Sequence, residues 1–167
     1  GLCLVGSEMC IRDRSNIEAR GNMLIGAMLA GKAFANSPVA AVHALAYPIG
    51  GTFHVSHGLS NSLVLPYVLR FNSADSKTTK NYAELAPFIF PDINTDQGNQ
   101  AVCKEFIDKL ELLSKKIGLP QKLREVNIPK DACKKMASDA MKQSRLLVNN
   151  PRDCLLYTSP SPRDRVQ

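Results

Sequence analysis

No stretch of this chain alternates apolar and polar residues with the two-residue period of a half-buried strand. Its apolar residues recur at three- and four-residue intervals, in segments closed by proline and glycine. That pattern predicts an all-α fold. The first segment, residues 17–35, follows a possible N-cap at Ser15 or Asn16 and carries Met23, Leu24, Ile25, Met28, Leu29 and Phe34. Apolar residues occupy nearly its whole circumference, which predicts a helix buried in the core. Gly21, Gly26 and Gly31 each cost up to about 1 kcal/mol against alanine inside a helix, and suit close approach of a neighbouring backbone.

Asn36-Ser37-Pro38 marks a boundary, with Ser37 able to cap and Pro38 suited to a first helical position. A short helix is expected from residue 39 to about 47, stopped by Pro48 and Gly50-Gly51. After a loop through Phe53, His54 and Val55, Ser56 can cap a helix running to about residue 71, with a kink at Pro66. Residues 72–80 read as polar and turn-like, and residues 81–90 as a short amphipathic helix. Residues 101–117 form the clearest surface helix: Val102, Phe106, Leu110 and Leu113 face inward, Lys104, Lys109, Lys115 and Lys116 outward. Gly118-Leu119-Pro120 ends it. A short turn near residues 121–124 and a helix over residues 132–142, capped by Asp131, complete the pattern.

The two ends stand apart. Residues 154–164 can be encoded by DNA whose opposite strand, in a shifted frame, reads as residues 4–13, and the shared string resembles a sequencing-library adaptor. Residues 1–14 and 154–167 are accordingly expected to be adaptor-derived, with residues 15–153 a natural piece of a longer gene product. Cys103 and Cys133 then remain, without CxxC spacing, as thiols of a reducing, cytoplasmic compartment. The formal charge of +6 is spread along solvated helix faces rather than massed, which argues against nucleic-acid binding. No apolar run approaches the roughly 18 residues that span a bilayer.

All three histidines lie between His43 and His57, in the stretch His43-Ala44-Leu45-Ala46-Tyr47-Pro48-Ile49-Gly50-Gly51-Thr52-Phe53-His54-Val55-Ser56-His57-Gly58. Neutral imidazole is the commonest protein ligand for borderline divalent metals. His43 and His57 converge if the loop folds their helices side by side. Two histidines fall short of the four donors a stable site needs. On spacing alone the pair is either half of a metal site or two groups that satisfy helix ends.

The run Ala19-Arg20, Met23-Leu24, Leu29-Ala30-Gly31-Lys32-Ala33-Phe34, Val42 through Gly51, His57-Gly58, Asn61, Leu65-Pro66 and Phe71-Asn72 resembles the iron-containing alcohol dehydrogenases. Gly118-Leu119-Pro120 and Asn150-Pro151-Arg152 extend the match. The resemblance implies the helical C-terminal domain of the dehydroquinate synthase-like fold, without its N-terminal dinucleotide-binding domain. It implies a parent enzyme, a homodimer or higher oligomer, that interconverts a small alcohol and an aldehyde or ketone by hydride transfer. NAD(P) would be held mainly by the absent domain. Fe²⁺ or Zn²⁺ would be held by one Asp and three His, and would act as a Lewis acid. His43 and His57 match the last two histidine ligands.

Many members carry a further histidine four residues after the first of these, as a proton relay; Tyr47 stands there. A phenol of ordinary pKa, about 10, is a poor relay near neutral pH, so Tyr47 either donates a hydrogen bond to the reacting groups or packs against the loop. His54 is outside the ligand pattern. Maleylacetate reductase and hydroxyacid–oxoacid transhydrogenase share the scaffold, and a non-catalytic helical interaction module is the alternative of a different class.

Overall fold

The computed structural model describes residues 15–156, and among these every regular element is helical. Most of the segment expected to be adaptor-derived lies outside the described residues. The chain divides into two units, Gly1–Pro38 and Val39–Gln167.

The first unit contains α1, Ile17–Asn36. Asn16 caps it as expected, its Oδ1 accepting from Ala19 N at 2.9 Å. The expectation of burial does not hold. Ala19 is buried, whereas Leu24 is 73% and Phe34 58% exposed, and Met23, Ile25, Met28 and Leu29 are exposed as well. An added Cβ at Gly21, Gly26 or Gly31 would meet nothing within 4 Å, so no close backbone approach explains them here. A sequence pattern reports that a face is apolar, not what covers it.

The second unit holds α2 (Ala41–Phe53), α3 (His57–Asn72), α4 (Ser76–Ile89), α5 (Asn99–Lys116), α6 (Ala132–Met141) and α7 (Ser144–Leu147), with 3₁₀ turns at Thr95–Gln97 and Leu123–Val126. Two cores organise it. Ile49 and Val64 pack with Ile128 and Met136, joining α2, α3 and α6. Ala83, Ala86, Ile93, Val102, Cys103, Phe106 and Ile107 join α4 to α5, with Leu69 of α3 packed against them. Helix α3 therefore contributes to both cores.

Three local expectations are corrected. Helix α2 does not stop at Pro48 but runs on through Gly50 and Gly51 to Phe53. Proline in a helix interior costs about 3 kcal/mol; the burial of Pro48 and Ile49, with Phe53 packed on the same core, offsets it. Residues 76–80, read as a turn, begin α4, because Asp75 caps them: its Oδ2 accepts from Thr78 N at 2.8 Å and Thr78 Oγ1 at 2.7 Å. Ser37 does not cap α2; it closes α1 instead, its N–H bonded to Ala33 O at 2.8 Å.

The C-terminal end is strapped onto α3. Asn72 and Asn150, both buried, exchange reciprocal amide hydrogen bonds of 3.1 and 2.8 Å. Arg152 donates to Phe71 O at 2.8 Å with its guanidinium 4.2 Å from the Phe71 ring centre. Arg70, the residue before Phe71 on the helix, bonds Asp108 at 2.9 Å and also Glu111, both on α5. Among the described residues no single helix is long and apolar enough to cross a membrane.

Candidate metal centre

The turn between α2 and α3 brings the histidine stretch together. Helix α2 ends in a left-handed residue, His54 (φ 56°, ψ 26°), whose N–H closes on Gly50 O at 3.0 Å. Histidine enters this conformation more readily than most non-glycine residues. The chain then turns through Val55 and Ser56. Buried Ser60 pins the turn from inside, its Oγ donating to Ser56 O at 3.0 Å and, more weakly, to Val55 O at 3.3 Å. Ser56 occupies the N-cap position, yet its side chain makes no capping bond. Gly50 packs under this turn: a Cβ there would sit 3.3 Å from Val55 O.

Folded this way, α2 and α3 lie side by side, and His43 and His57 meet with ring centres 5.1 Å apart. Tyr47, one turn after His43, is 6.3 Å from the His43 ring and 6.4 Å from the His57 ring. The three rings share one face, and Tyr47 is 41% exposed on it. His54 is exposed and takes no part in this cluster; its role is to end α2. Burial lowers the His43 pKa below its ordinary value, with the neighbouring His57 adding to the effect, so the neutral ring is favoured.

One participant carried no assigned role in the sequence. Asn61 lies one turn after His57, with its Nδ2 3.1 Å from His57 Nε2 and 3.4 Å from His43 Nε2. The two Nε2 atoms thus converge on one point. Two imidazoles with their Nε2 atoms this close are a donor set that suits a borderline divalent cation, and in that respect the residues fit the metal the resemblance implies. Among the described residues no group of three or more His, Cys, Asp or Glu could complete the site. The signal that could have singled out Asn61 was its spacing of four from His57, which puts both on one helix face.

The helical architecture is shared with parts of solved oxidoreductases. The crystal structure of 1,3-propanediol oxidoreductase matches with a TM-score of 0.84 over 95% of this chain and 41% of that one, at 28% identity. An alcohol dehydrogenase from Oenococcus oeni matches with a TM-score of 0.80 at 29% identity, over 93% of this chain and 39% of that one.

The chain belongs to the Fe-containing alcohol dehydrogenase family, whose C-terminal family model matches residues 4–156. Long-chain-alcohol dehydrogenase 1 of Geobacillus thermodenitrificans is 37% identical over 84% of this chain. The 1,3-propanediol dehydrogenase of Citrobacter freundii is 35% identical over 83%. The matched region spans 35% of the length of each of these two relatives.

Proposed function

We propose that residues 15–153 are the helical metal-binding part of a longer NAD(P)-dependent alcohol dehydrogenase that interconverts an alcohol and an aldehyde or ketone. The observation that carries this reading is the convergence of His43 Nε2 and His57 Nε2 on one point between two helices. The family membership supports the reaction class, since relatives of this chain are alcohol and propanediol dehydrogenases.

In this reading His43 and His57 supply two of the nitrogen donors, and a bound divalent cation supplies Lewis-acid polarisation of the substrate oxygen. The protein's own contribution is placement. Ser60 and the left-handed His54 set the turn that aims His57, while the core around Ile49 and Val64 fixes the α2–α3 separation. In this reading Tyr47 donates a hydrogen bond to an alcohol or carbonyl oxygen, and its half-exposed position beside both rings supports that role.

In the complete enzyme, His43→Ala and His57→Ala are each expected to abolish stoichiometric iron or zinc in elemental analysis. Full metal content in both variants would overturn the ligand assignment. Tyr47→Phe is expected to keep the metal and lower kcat, which separates a hydrogen-bonding role from packing.

A further inference from the structure

A cleft of about 1020 Å³ lies between the C-terminal end of α3, helix α5 and the 3₁₀ turn at Leu123–Val126. Its wall on α3 is Arg70, thirteen residues after His57, which places it about 20 Å along the helix from the histidine pair at 1.5 Å per residue. The cleft is therefore separate from the candidate metal centre. Its volume suits a small organic molecule rather than a bare ion.

Much of the polar wall is already engaged. Arg70 Nη2 donates to Asp108 at 2.9 Å and also to Glu111, and Lys104 donates to the second Asp108 oxygen at 2.8 Å. The Ser73 hydroxyl donates to Arg70 O at 2.8 Å and the Thr79 hydroxyl to Ser73 O at 2.6 Å, so both protons are committed. Glu125 accepts from Gln121 N at 2.8 Å. What remains is mostly donor groups. Lys115 and Lys122 line the cleft with no hydrogen bond or ion pair among the described residues. Arg70 Nη1 has no partner either; it is buried beyond the reach of water, so it adds positive potential rather than a contact.

The charges point the same way. Arg70 and Lys104 are matched by Asp108 and Glu111, which leaves Lys115 and Lys122 against Glu125 and the wall with four cations to three carboxylates. Ile107 and Leu112 supply apolar wall on the same helix as Lys115. We propose that this cleft binds an organic oxyanion, a phosphate ester or a carboxylate on an apolar body. Lys115 and Lys122 hold its charged end, and Ile107 and Leu112 receive its body. The bland alternative, two lysines that are merely solvated, predicts no saturable binding and no difference between these lysines and their neighbours.

The test titrates the ¹⁵N-labelled 167-residue chain with phenyl phosphate, with benzoate and with neutral benzamide. Amide shifts are expected to move together around Arg70, Ile107, Leu112 and Lys122 while those of His57 and Gly58 stay in place. Lys115→Gln and Lys122→Gln each remove a charge from an exposed position, and each is expected to weaken binding about fivefold, the scale of one charge-assisted bond in partly solvated surroundings. Lys116→Gln removes the same charge one residue away, outside the cleft, and is expected to leave affinity within about twofold. The tighter of the two anions identifies the source of the oxyanion as phosphate ester or carboxylate.

No saturable shift up to about 10 mM of either anion would overturn the proposal. Benzamide binding as tightly as the anions would remove the charge recognition and overturn it as well. Lys116→Gln weakening binding as much as the cleft variants would reduce the effect to general attraction, with the same consequence. None of these outcomes depends on whether His43 and His57 hold a metal.

Discussion

Replacing Asn150 by Leu removes the strap that ties the C-terminal end to the last residue of α3. Three hydrogen bonds to oxygen or nitrogen partners disappear, the reciprocal pair with Asn72 and the bond from Asn150 Nδ2 to Arg152 O at 2.6 Å, along with a weak contact from Nδ2 to Cys154 Sγ at 3.5 Å. Each is worth about 1 kcal/mol net, and the Asn72 amide, 3% exposed, is left facing an apolar side chain. Among the described residues its one other side-chain hydrogen bond is a weak one to Tyr82 Oη at 3.5 Å. An unsatisfied buried amide adds about 1–3 kcal/mol, which brings the expected loss to roughly 4–6 kcal/mol, a large part of the stability of an ordinary domain. Asn72→Leu should cost less, because Asn150 keeps its bond to Arg152 O when the reciprocal pair is lost.

The double variant with Leu at both positions replaces two polar partners by apolar groups of similar size, so it should cost much less than the sum of the singles. A coupling of about 2 kcal/mol is expected. Urea denaturation followed by far-ultraviolet circular dichroism, on the four members of this cycle, measures it. Singles that add to within about 0.5 kcal/mol would refute the idea that the two amides act as one buried unit.

Three further outcomes are expected. His54→Gly relieves a left-handed conformation that costs a non-glycine residue roughly 1 kcal/mol, and should raise the urea midpoint without disturbing the α2–α3 turn. Gly50→Ala places a Cβ 3.3 Å from Val55 O, a backbone atom with little freedom to yield, and should destabilise the chain by about 1–3 kcal/mol, with chemical-shift changes centred on His57. Asp75 is held below its ordinary carboxyl pKa of 3.8, chiefly by the Thr78 hydroxyl and then by the Thr78 N–H. A lowered folded pKa contributes stability that is complete above 3.8 and lost as pH falls through the folded value. The stability difference between wild type and Asp75→Asn should therefore shrink on acidification below that point, as measured by denaturation at stepped pH.

The sequence made some of this legible because the signals were local. Val102, Phe106 and Leu110 recur at helical spacing and do lie on the inner side of α5; His43 and Tyr47, one turn apart, do share a face. What escaped depended on distant partners. Pro48 reads as a stop until Ile49 is seen packed with Val64, Ile128 and Met136. Asn61 becomes chemically interesting only once the α2–α3 turn puts His43, 18 residues away in sequence, beside it. Asn72 and Asn150 find each other across 78 residues, and no periodicity announces such a pair. For α1 the error had the opposite form, since a correct reading of composition was taken as a statement about contacts.

That helix has a consequence for how the chain behaves in time. An isolated helix of 20 residues is marginal in water even with favourable residues, and the three glycines in α1 subtract about 1 kcal/mol each. With most of its large apolar side chains exposed, little packing holds it against opening. Its amides should exchange with solvent far sooner than those of α3, whose two ends are fixed by Ser60 and by the Asn72–Asn150 pair. Whatever covers α1 will also be what keeps it helical, so that ordering and covering become a single event, read in one exchange experiment.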